Sequence, residues 1–107
     1  MSDSKQIAFQ EVETLLQEEI KELHPGHRLL FQKMRIPFKT VPVDAHPGEY
    51  VIVVAEYEGK MLYYSEIEEG WELEEPTSRG GITEREANQF ELTHIMWQLF
   101  GDPDHLK

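Results

Sequence analysis

The sequence predicts an α+β domain, an antiparallel sheet of about four strands packed against an N-terminal and a C-terminal helix. Three observations carry that reading. Residues 50–74 are rich in β-branched and aromatic side chains and are interrupted by two turn sequences, Glu58-Gly59 and Glu68-Glu69-Gly70. Residues 4–23 repeat apolar side chains at three- and four-residue spacing. Residues 83–100 do the same and end at Gly101 and Pro103. With 107 residues and no internal repeat or linker, the chain 1–107 reads as one domain.

The first helix is predicted from Ser4 to Leu23, capped by Asp3 or Ser4. Ala8, Val12, Leu15, Leu16, Ile20 and Leu23 form its apolar stripe, and Pro25-Gly26 is expected to stop it. Its polar face is acidic, which does not suit a helix lying on lipid. Within residues 28–43 a strand is predicted, with Leu30, Met34, Ile36 and Phe38 on one side and Phe31, Lys33, Arg35 and Lys39 on the other. Pro37 and Pro42 make it an edge or bulged strand. Arg28 to Met34 has a helical turn as its alternative.

The meander 50–74 follows a connecting loop at 44–49. A two-residue turn at Glu58-Gly59 sets Tyr57 opposite Lys60, Val54 opposite Tyr63 and Ile52 opposite Ser65. A three-residue turn with Gly70 left-handed sets Ile67 opposite Trp71 and Ser65 opposite Leu73. This register places Tyr50, Ile52, Val54, Met61, Tyr63, Ile67, Trp71 and Leu73 on a core face under the helices. It places Val51, Val53, Ala55, Tyr57, Leu62 and Tyr64 on the second face, together with Lys60, Glu66, Glu72 and Glu74. Residues 75–81 read as a flexible connection. The last helix is predicted to start at Thr83, with Glu86 completing a capping box.

Charge is segregated along the chain. The net charge is −11. Residues 26–47 carry four basic and one acidic side chain, whereas residues 48–78 carry nine acidic and one basic. Nucleic acid is therefore not an expected partner, because phosphate binding needs a basic footprint. A basic protein surface is. The absence of cysteine removes disulfides, thiol catalysis and cysteine-based zinc sites, and agrees with a cytoplasmic protein. No run of about 18 apolar residues is present, so no membrane span is expected.

Each candidate chemistry is outweighed by a plain reading. His24, His27, His46 and Asp44 hold metal-ligand groups, but no tight pair of them shares a regular element, and they read as solvated turn residues. Glu91-Leu92-Thr93-His94 has the spacing of a di-iron motif, yet it occurs once and on too few helices. Ser78-Arg79-Gly80-Gly81 offers backbone N–H groups to an anion but lacks the lysine of a phosphate loop. Glu56 is the one carboxylate whose pattern suggests partial burial, but it sits next to the turn, and a rim position is expected. No catalytic residue, metal or cofactor is assigned.

The expected function is that of a non-enzymatic acidic interaction domain. Glu66, Glu72 and Glu74 would form an acidic edge for a basic partner, and Val51, Val53, Leu62, Tyr57 and Tyr64 an apolar sheet face for a partner or a second copy in a homodimer. An immunity or inhibitor protein masking a basic site is the alternative within binding. In architecture and acidity the layout resembles small bacterial helix-plus-sheet proteins, among them some toxin-immunity proteins. A small-ligand or enzymatic domain is the other alternative, with a pocket between sheet and last helix lined by Tyr63, Trp71 and Trp97.

Overall fold

The computed structural model describes residues 9–65, 69–84 and 90–105, with His105 described by its backbone alone. It is an α+β fold with the order α1 (Phe9–Ile20), α2 (Pro25–Met34), β1 (Arg35–Pro42), β2 (Tyr50–Tyr57), β3 (Lys60–Ser65), β4 (Gly70–Glu74), α3 (Leu92–Phe100) and a closing 3-10 turn (Pro103–His105). The strands form one antiparallel sheet in sequence order, so β1 and β4 are its two edges. Among the described residues no helix is long and apolar enough to cross a membrane.

Val12, Leu16 and Ile20 recur every four residues and bury one side of α1. The strand expected within residues 28–43 occupies Arg35–Pro42, and the stretch before it takes the helical alternative. Residues 25–34 are helical, because Pro25 takes the first helical position, where its missing N–H costs nothing, and His27, Phe31 and Met34 form the buried stripe. The Pro25-Gly26 pair thus starts a helix as well as ending one. The Arg28 guanidinium donates to the Ile20 and Leu23 carbonyls at 3.3 and 3.1 Å, tying α2 to the chain at the C-terminal end of α1.

The meander forms with a register partly different from the expected one. Tyr57 does lie opposite Lys60, across a turn in which Glu58 and Gly59 both take positive φ. Ala55 pairs with Leu62, but Val53 then pairs with Tyr63 and Ile52 with Tyr64. Val54 is thus an extra residue in β2, and a bulge of this kind shifts every pairing beyond it by one. The second connection is longer than expected. Ser65 pairs with Gly70, Tyr64 with Trp71 and Leu62 with Leu73, and Glu69 rather than Gly70 holds the positive φ. Glu66 and Ile67 lie outside the described residues.

These shifts redistribute the two faces. Ile52, Val54, Ala55, Leu62 and Trp71 lie under the helices, with Tyr57, Tyr64 and Leu73 packed beside them. Val51, Val53, Met61 and Tyr63 join Val41, Val43 and Ile82 in a second core on the other face. That second face is covered by the chain itself. After β4 the chain passes Met61 at Pro76 and Gly80 and reaches the far edge, where Ile82 pairs in parallel with Val43 beyond β1. Ile82 N–H donates to Pro42 and Asp44 N–H to Ile82, at 2.9 and 2.8 Å. Gly81 lies so close to Pro42 that an added Cβ would stand 2.0 Å from its carbonyl oxygen. The chain then returns to pair Phe90 with Trp71 beside β4.

The last helix is shorter than expected. Thr83 lies in a bend, its carbonyl accepting from Ala45 N–H at 3.0 Å, and the helix begins at Leu92. Glu86 lies outside the described residues.

Candidate functional site

The acidic side of the molecule is built on β4. Glu72 and Glu74 alternate with Leu73, so Leu73 faces the helices and the two carboxylates share the second face with Tyr63 and Met61. Both glutamates are half-buried. The Tyr63 hydroxyl, on a fully buried side chain, donates to Glu74 at 2.8 Å. Glu74 thereby satisfies a phenol that would otherwise be buried without an acceptor. Glu69 before the strand and Glu75 after it are exposed, as is Glu58 at the β2–β3 turn.

The basic stretch does not neutralise this side. Arg35 pairs with Glu13 of α1 at 2.9 Å and Lys39 with Glu56 of β2 at 2.8 Å. Neither uses a β4 carboxylate, because β1 and β4 are opposite edges and three strand spacings separate them by about 14 Å. Of these two cations Lys39 pairs with a glutamate of the meander and Arg35 does not. Glu56 is exposed, next to the end of β2. Hydrogen bonding from Gln17 is the main cause that holds the Glu13 carboxyl below its ordinary value; burial opposes it, and the hydrogen bond and charge of Arg35 add to it.

The backbone of β4 is open on its outer side beyond one contact. Trp71 N–H donates outward to Phe90 at 2.9 Å. Two residues on, Leu73 presents its N–H and carbonyl in the same direction with no backbone partner among the described residues.

The other expected groupings do not assemble. Val51, Val53 and Leu62 are 4%, 0% and 0% exposed, and Leu62, Tyr57 and Tyr64 lie on the helix side. No open apolar patch therefore unites these five residues. Tyr63 is on the second face and Trp71 on the first, with the Trp71 indole donating to Glu19 at 2.9 Å. Trp97 is 53% exposed and packs edge-to-face on His27. The three aromatics line no common pocket.

Sequence reasoning missed the two roles of Glu19 and His27. Glu19 accepts from the Trp71 indole through one oxygen and from Leu92 N–H, at 2.6 Å, through the other. One carboxylate thus fastens α1 to β4 and to the N-terminus of α3, where negative charge is favoured. His27 is buried, not solvated, and its Nε2 lies 2.8 Å from the Gly101 carbonyl. No three histidine or carboxylate side chains converge among the described residues. The N–H groups of Arg79, Gly80 and Gly81 all donate to Thr77, so the loop has none left in that run for an anion. Compared with protein-family models, with characterised proteins and with solved structures, the chain matches none.

Proposed function

We propose that the protein is a non-enzymatic interaction domain that docks a basic protein partner against its β4 side. The observation that supports this reading is the concentration of carboxylates at that edge, with Glu69 and Glu75 exposed at the two ends of β4, while the ion-paired Arg35 and Lys39 stand on the opposite edge strand. Such a surface draws in a cationic partner from a distance and selects against acidic ones. An immunity or inhibitor role is the special case in which the partner's basic patch is its own active site. A cytoplasmic setting agrees with the lack of cysteine. Docking through the apolar sheet face forms no part of this reading, since Val51 and Val53 are covered within the chain.

Because Glu74 holds Tyr63 and Glu72 is half-buried, charge reversal there disturbs the fold as well as the surface. The exposed pair Glu69 and Glu75 gives a cleaner test. Capture from host extract at low salt should recover a basic protein that is released at high salt. The double variant Glu69→Lys/Glu75→Lys should lose that protein with an unchanged melting temperature. Undiminished, salt-resistant capture by the double variant would refute the assignment.

A further inference from the structure

Among the described residues, α2 and α3 each have a histidine at the N-terminal end whose ring accepts a backbone N–H. His24 is the N-cap residue of α2, and its Nδ1 accepts the Gly26 N–H at 3.0 Å. His94 lies in the first turn of α3, and its Nδ1 accepts the Glu91 N–H at 3.1 Å. A backbone N–H can be met only by a ring nitrogen that carries no proton. At His24 the other nitrogen, Nε2, is 3.2 Å from an Asp104 carboxylate oxygen and carries the hydrogen. We propose that α2 and α3 are held by a matched pair of acid-labile caps, each an unprotonated imidazole that a single proton converts from acceptor to cation.

The surroundings decide what replaces each contact. Around His24 stand Asp104 and, bonded to the Asp104 amide, Asp102, both exposed. From α2 come His27, at 6.4 Å between rings, and Arg28, whose guanidinium is turned to the carbonyls of α1. The last turn of α3, Trp97 to Phe100, carries no charged side chain, and the side chain of His105 lies outside the described residues. Around His94 stand Glu91 and the α1 residue Glu19, whose carboxylate sits on Leu92 N–H at the same helix end. These carboxylates attract an imidazolium, but an ion pair with them leaves the Gly26 and Glu91 amides without their acceptors. A helix start without its capping acceptor is destabilised. The effect is larger at α2, since α3 keeps the Glu19 carboxylate. His27 differs in kind. It donates Nε2–H to Gly101, a contact that survives a second proton on the ring. His46, exposed on the 44–49 loop, makes no cap and serves as an internal reference.

Imidazole gains its proton in the range between pH 8 and pH 5 that cells use for switching. Amide and ring signals of the intact chain, followed by NMR across that range, test the proposal. The Gly26 amide should move with the ring of His24 and the Glu91 amide with that of His94. Exchange at Gly26, corrected for its intrinsic pH dependence, should accelerate about fivefold, the factor that loss of one N-cap contact implies. His24→Asn keeps an acceptor that does not titrate, so it should hold Gly26 constant while Glu91 still moves. His94→Gln, the capping-box residue at that position, should do the reverse. Amides that stay fixed while their rings titrate, amides that still move in the Asn and Gln variants, or rings that take up no proton by pH 5 would each overturn it.

Discussion

At the scale of single residues the account turns on carboxylates whose position the composition conceals. Glu19 is one of many glutamates in the chain, and nothing in its spacing separates it from its solvated neighbours. In the fold it answers two donors from different elements, the Trp71 indole and the Leu92 amide. Glu19→Ala should therefore cost about 2–4 kcal/mol in urea unfolding, since it strands two partly buried donors at roughly 1–3 kcal/mol each, offset by water that reaches the space. A loss no larger than that of Glu18→Ala, an exposed neighbour, would show the tie to be idle. The legible residues were those of strong apolar pattern. Val12, Leu16 and Ile20 of α1, and Ile52, Val54 and Trp71 of the sheet, are buried where periodicity put them. Met61, Leu62 and Ala55 changed face with the shifted register, and His27 was misplaced because its burial depends on Gly101 and Trp97, more than 65 positions away in sequence.

At the scale of elements, existence was easier to read than ends and registers. The four strands and the two terminal helices were legible from composition and period. The bulge at Val54 was not, because an extra residue in a run of Val, Ile and Ala leaves the alternation looking intact. The start of α2 was masked by Pro25-Gly26, a pair that marks helix ends and helix starts alike. The start of α3 was masked by Thr83 and Glu86, which match a capping box. There the local signal lost to the pairing of Ile82 and Thr83 beside β1. That pairing rests on Gly81, where a side chain would collide with the Pro42 carbonyl. Gly81→Ala should cost about 2 kcal/mol or more, as forced overpacking does, and should speed amide exchange at Ile82 and Asp44 first. An unchanged urea midpoint would show that the crossing segment is not packed as described.

At the scale of the molecule the sheet is covered twice, by helices on one face and by its own returning chain on the other. This is why the candidate site lies at an edge and not on a face. The sequence showed where the acid is concentrated, since that needs only a tally along the chain. It did not show that Arg35 and Lys39 stand on the far edge strand, because the strand order decides that distance. The acidic edge proposed for docking is thus a consequence of topology acting on an uneven charge distribution.

Titration of the labelled protein with a short oligo-lysine peptide at low salt tests that consequence most directly. The account predicts amide shifts concentrated between Glu69 and Glu75, lost at high salt and lost in Glu69→Lys/Glu75→Lys. Shifts spread evenly over the acidic face of α1, or retained in the double variant, would contradict it.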